Sequence, residues 1–196
     1  MKRLLLVAVS LFLASSLASA QQPMRIRGTI TALDGDMLSV KSRDGEVMQL
    51  HLAPNVGVAV AKAITLADLK PGTYVASAAI KRADGTLVAK DVHTIPPQAP
   101  AGQTPWDLEP GSTMINANLA GAVEISGGNE ITLQYKDGSQ KILVPPGTPI
   151  LTYVPGDRSA LKPGEWIVVL AATRQPDGTI LVPRLQVGKD GVKPAH

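Results

Sequence analysis

The chain has 196 residues, with 19 Lys and Arg against 16 Asp and Glu, and no cysteine. It therefore holds no disulfide framework and no thiolate metal site, and its length suits one or two small cores. The leader described next takes two of the basic residues and none of the acidic ones, so the formal charge falls from +3 to +1. The basic pI of about 9.2 is then no footprint of nucleic-acid binding.

Residues 1–20 read as a secretory signal. Lys2 and Arg3 give the positive start, Leu4–Leu13 is an apolar run, and Ala18-Ser19-Ala20 is an A-x-A cleavage site before Gln21. The run has 10 residues, about half of the roughly 20 that a membrane-spanning helix needs. No cysteine follows the cut for lipid attachment. The expected product is a periplasmic protein that is not an integral membrane protein.

After the leader the chain says the same thing twice. Asp44-Gly45 aligns with Asp137-Gly138, Leu69–Gly72 with Leu161–Gly164, and Asp84–Thr86 with Asp177–Thr179, at offsets of 93, 92 and 93. A repeat of that length is a small domain rather than a solenoid unit. In the first copy, strands are predicted over Ile26–Leu33, Met37–Ser42, Glu46–Leu52, Thr73–Lys81 and Thr86–Ile95. Asp-Gly turns separate several of them, and Thr65 is placed to cap a short helical turn before Lys70-Pro71-Gly72. Five strands with a helical turn between the third and fourth is the order of a small OB-type barrel.

The change of offset falls in turns, because a one-residue slip inside a strand would turn it inside out. Pairing Val40 with Met48 leaves the three-residue loop Arg43-Asp44-Gly45, with positive φ expected at Gly45. Pairing Leu133 with Ile142 leaves a two-residue loop, Asp137-Gly138. The fold class expected is all-β, with two tandem OB-like five-stranded barrels. The divisions are signal peptide 1–20, first barrel 21–95, Pro-rich linker 96–117, second barrel 118–190 and tail 191–196. Pro96, Pro97, Pro100, Pro105 and Pro110 exclude helix or inner strand from Pro96–Asn116. Trp106 reads either as the head of a docking motif or as a pin holding the linker on a barrel, with the pin favoured.

The run Gly28–Lys41, the Leu69–Gly72 turn and the run Asp84–Ala89 resemble bacterial exported OB-like domains of unknown function. The second half, with Tyr153–Asp157, and the motif Pro105-Trp106-Asp107 resemble proteobacterial tandem versions, some of which carry the label of metal-transporter permease. The resemblance covers nearly all of the chain after its leader and rests mostly on turns, so it implies a fold and no activity. A chain without a second apolar span cannot itself be a permease.

No catalytic constellation emerges. The aspartates at 34, 36, 44, 84, 137 and 177 sit in turns, where Asp bonds its own backbone. No Gly-x-Ser-x-Gly elbow or phosphate loop is present. His51 and His93 lie late in the third and fifth strands, neighbours in an OB barrel, and Met37 is close enough to join them in a soft-metal site. Against that stands the simpler view that both histidines are surface residues. Tyr74 and Trp166 occupy matching positions, which favours core over a nucleic-acid stacking platform.

The reading is therefore a non-catalytic binding module for an envelope protein or saccharide, with no catalytic, cofactor or metal residue assigned. The alternative is a copper or zinc binder using His51 and His93. If the leader is processed as expected, N-terminal sequencing of the exported protein starts at Gln21. Retention of Met1, or a bound lipid, refutes that.

Overall fold

A computed structural model describes residues 23–136 and 138–195. The leader 1–20, Asp137 and His196 lie outside the described residues. The chain is all-β, with two short 3-10 turns at Leu66–Asp68 and Arg158–Ala160. In order, the strands are β1 (Met24–Asp34), β2 (Met37–Ser42), β3 (Val47–Ala63), β4 (Tyr74–Lys81), β5 (Leu87–Ala89), β6 (Val92–Thr94) and β7 (Gly102–Pro105). They continue as β8 (Ser112–Ile125), β9 (Gly128–Tyr135), β10 (Gly138–Val144), β11 (Ile150–Gly156), β12 (Trp166–Arg174) and β13 (Ile180–Val187). No helix among the described residues is long and apolar enough to cross a membrane.

The strands follow from alternation. Leu38 and Val40 in β2, and Leu50 and Leu52 in β3, are fully buried, while Val47, Gln49 and His51 between them face out. Val40 pairs with Met48, and Ser42 N–H donates to Glu46 O at 2.7 Å, so the three-residue loop over Arg43-Asp44-Gly45 is as expected. Gly45 takes φ of 90°. The second hairpin is set differently. Tyr135 pairs with Gly138 and Leu133 with Gln140, so this turn comes one position earlier than the sequence suggested. Leu133 and Ile142 both remain buried, because the register moved by an even step and kept each side chain on its face.

The larger departure concerns which strands close which barrel. β1 pairs with β2 and β12, β2 with β3, β3 with β13 in parallel, and β13 with β12. This closes a five-stranded ring whose first three strands come from one half of the chain and whose last two come from the other. The second ring is the reciprocal set: β8, β9 and β10 with β4 and β5, joined by the β4–β8 and parallel β5–β10 pairings. The expected division into one barrel per half, 21–95 and 118–190, is thus replaced by an exchange of strand pairs.

The exchange occurs after Leu52. Instead of turning back, β3 runs on and pairs antiparallel with β11 from Val58↔Gly156 to Ala63↔Leu151. A shift of 93 positions carries Val58 onto Leu151 and Ala63 onto Gly156, so the seam maps onto itself. It is the local two-fold between the halves. Pro54 and Pro183 both lie where the parallel β3–β13 ladder shifts register, so neither lacks an N–H that the ladder needs.

The cores record the same exchange. One packs Ile26, Ile30, Leu38, Val40, Leu50 and Leu52 against Ile167, Val169, Val182, Leu185 and Val187. The other packs Val75, Ala79 and Leu87 against Ile115, Leu119, Ile131, Leu133 and Ile142. Each 3-10 turn delivers a plug across the divide. Leu69 enters the second core and Leu161 the first. At Thr65 the cap is reversed, with the Asp68 carboxylate accepting both Thr65 N–H and Thr65 Oγ–H at 2.8 Å.

The linker also differs from expectation at its end. Residues 112–116 form the start of β8 and lie between β4 and β7, with Ile115 fully buried. The prolines stop at Pro110, so the argument against inner strand does not reach Ser112–Asn116, where Ser112 to Ile115 are buried in succession. Pro105 ends β7, an outermost strand whose partner is β8.

Six buried Val, Ile and Leu residues from β12 and β13 complete the first core. At about 1.5–3 kcal/mol each, they contribute roughly 9–18 kcal/mol, as much as the whole net stability of a typical domain. Residues 23–96 and 97–196 made separately are therefore expected to show no cooperative unfolding. Mixed together, they should recover one. A sharp denaturant transition in either half alone would restore the one-barrel-per-half view.

Candidate functional site

The three places singled out from the sequence have different fates. Trp106 pins the linker. It is half-buried against Ala76, Ala78 and Met114 on the outside of β4 and β8, and the Arg25 guanidinium carbon lies 4.0 Å from its ring centroid. Asp107 then receives Arg27 Nη2–H at 2.7 Å and lies 3.5 Å from Arg25 Nη1. Arg43 donates to Leu108 O at 3.2 Å, and Lys90 lies 2.8 Å from Glu109. Arg25, Arg27 and Arg43 belong to the first ring, whereas Ala76, Ala78 and Lys90 lie on or beside β4–β6. The linker thus bolts the two rings together on one side, and the Trp106 surface is used internally.

The hydrogen bond and charge of Arg27 hold the Asp107 carboxyl below the usual carboxylate range. A depressed acid stabilises the fold in full above its unfolded value. That contribution drains away as pH falls through the depressed one. Asp107 is nearly half exposed, which keeps its contribution small.

The two histidines are not brought together. His51 is on the outer face of β3, opposite Met37 in β2 and Leu181 in β13. His93 is in β6, opposite Ala76 and Leu151, beside the second ring. The expectation that they neighbour each other assumed that the fifth strand of a half sits beside its own third strand. After the exchange it sits beside the other half's.

His93 is also not a surface residue. It is 6% exposed, with Nδ1 3.3 Å from Asp91 Oδ1. Asp91, equally buried, accepts Ala78 N–H at 3.1 Å through the same oxygen, and its backbone carbonyl accepts the Ser77 hydroxyl at 2.7 Å. An ionised Asp91 accepts only, and His93 Nδ1 is then the donor in this contact. The imidazole stands edge-on to Tyr153, 5.9 Å between centroids, and Tyr153 OH accepts Ala195 N–H at 2.9 Å. Burial raises the Tyr153 phenol above its ordinary value. Asp91, His93 and Tyr153 lock β4, β6, β11 and the C-terminal tail together. No one-dimensional signal marked this cluster, because its members come from both halves.

The matched aromatics Tyr74 and Trp166 are half-buried and covered by chain. Tyr74 OH donates to Ala99 O at 2.9 Å, and Lys193 Nζ lies 5.1 Å from the Trp166 ring centroid. The turn aspartates behave as turn residues. Asp84 accepts Thr86 N–H at 2.9 Å, and Asp177 accepts Thr179 N–H and Oγ1–H at 2.9 and 2.7 Å. These bonds lower the carboxyl pKa of both.

Besides an apolar hollow of about 620 Å³ under the C-terminal tail, lined by Ala63, Ile150, Leu151, Val192 and Pro194, an open groove of about 490 Å³ lies on the second ring. It runs between the β4–β5 turn, which brings Arg82 and Thr86, and the β8–β9 turn, which brings Ser126. Its floor is the outer face of β9 and β10, with Glu130, Lys141 and Leu143. Glu130 faces Leu143 across the strands, and Lys141 Nζ lies 2.7 Å from Glu130 Oε1. The lining has charges of both signs and aliphatic patches, with no histidine beside a hydroxyl. It has hydrogen-bonding partners for a ligand and no activated nucleophile. No family model, curated protein or solved structure matches the chain.

The two histidines should separate cleanly in stability. His93→Ala strips a partner from a buried carboxylate and is expected to cost roughly 1–3 kcal/mol. His51→Ala, at an exposed position, should stay within about 0.5 kcal/mol. Chemical denaturation of both variants decides it, and equal losses would contradict the placement of His93.

Proposed function

We propose that this is an exported, non-catalytic binding module of the cell envelope, built on two OB-type rings. The ligand is a segment of another envelope protein held in the groove of the second ring. The observation that carries the reading is the groove itself. A pair of turns frames two neighbouring strands, and Arg82, Glu130 and Lys141 supply charges of both signs around Leu143. A mixed-charge floor with aliphatic patches suits an extended polypeptide with alternating side chains. A saccharide, the other candidate, is less well served by a groove without an aromatic ring.

The ring order supports the OB-type reading. Numbering the strands of each half from one to five, both rings run 1-2-3-5-4 and close back on 1, with 3 parallel to 5. Frame, floor and flanking turns coincide with the face that OB folds use for chain-like ligands. The leader-like residues 1–20 support export to the periplasm.

The test is a photo-crosslinking residue placed at Ser126 in the native envelope. A discrete protein adduct is expected. It should disappear when Arg82→Glu and Lys141→Glu are combined, and be absent when the crosslinker sits at Leu170 on the other ring. A glycan adduct transfers the reading to saccharide. Equal capture at Leu170, or capture that ignores the charge reversal, rejects the groove.

A further inference from the structure

The repeat provides a comparison inside the molecule. In the second ring, Glu130 faces Leu143 at the outer surface of its second and third strands. At the same station of the first ring, Met37 faces His51. Both side chains point away from the core, since their neighbours Leu38, Leu50 and Leu52 are fully buried. Met37 is 39% exposed and His51 is exposed as well.

Residues directly opposed on antiparallel strands hold their Cβ atoms about 4.5–5.5 Å apart. One ion can then reach a thioether sulfur and an imidazole nitrogen together. On the other side of His51 lies Leu181 of β13, and the turn leading into β13 carries Asp177. Asp177 thus lies four residues before the strand position that flanks His51. Asp177 Oδ1 accepts the Thr179 N–H and Oγ1–H. The next pair along the ladder, Ser39 and Gln49, is closed on itself at 3.0 Å.

We propose that Met37 and His51 bind one soft monovalent cation of the Cu(I) or Ag(I) class, with Asp177 as a nearby counter-charge. A thioether is a poor ligand for hard cations and a good one for soft ions, which settle for few ligands. Zinc and calcium need a fuller shell. No group of three His, Asp or Glu suited to a metal occurs among the described residues. The site replaces the one anticipated between His51 and His93, and is independent of the groove on the second ring.

Titration of the purified chain with Ag(I), read by NMR of methionine methyls and histidine ring protons, tests this. Saturation at one equivalent is expected, with shifts confined to the Met37 methyl and the His51 ring. The methyls of Met24, Met48 and Met114 should stay put. Met37→Leu or His51→Ala should each weaken binding by at least about tenfold, and Asp177→Asn by less. Both donor positions are exposed, so the unfolding midpoints of those variants should not move. The proposal falls if no shift appears at one equivalent or if binding survives both donor substitutions. It falls equally if the shifts gather at His93, or if Zn(II) perturbs the pair as strongly as Ag(I).

Discussion

Everything in this molecule depends on where β3 goes after Leu52. Had it turned back, each half would have closed on itself and the linker would have been a tether between two beads. Because it runs straight to Ala63 and zips onto β11, the last strands of its own half, β4 and β5, are delivered to the other ring, and β12 and β13 of the second half come back to its own. The parallel pairings of β3 with β13 and of β5 with β10 are the closures this makes possible. The same event sends Leu69 and Leu161 into the cores opposite their own β-hairpins.

Only one side of the near-symmetric body is strapped. The Trp106–Glu109 segment ties Arg25, Arg27 and Arg43 of one ring to the β4–β8 surface and Lys90 of the other. Near the seam, the C-terminal tail ends on Tyr153, backed by the buried Asp91–His93 pair. These two attachments break the equivalence of the halves. The two outer faces differ for another reason, substitution alone: charge and leucine on one ring, thioether and imidazole on the other.

The elements were largely legible in the sequence, since alternation and Asp-Gly turns are local signals. The three-residue loop at Gly45 and the outward His51 follow from them directly. Connectivity was not legible. An exchanged pair of barrels and an unexchanged pair ask the same pattern of every strand, and the choice lies in a long-range pairing that leaves no periodic trace. The burial of His93 was missed for that reason, because its cover comes from β11 and the tail. The inner-strand character of Ser112–Asn116 was missed because proline density was extended past Pro110. The groove could not have been found from sequence either, as its turns are contributed by opposite halves.

The exchange also governs how such a chain comes into being. Ile26 finds its partner in Val169, so the first strand made waits for nearly the last. Loops that long are entropically slow to close, and pairing of this kind ranks among the slowest to form. A chain emerging residue by residue has the strands of its second ring, β4 to β10, complete at Val144, while β1, β2 and β3 still lack their closing partners. The first ring alone has to wait for β12 and β13, up to Val187. The order of closure is thus written into the topology: the ring made from the middle of the chain comes first, and the ring made from its two ends comes last.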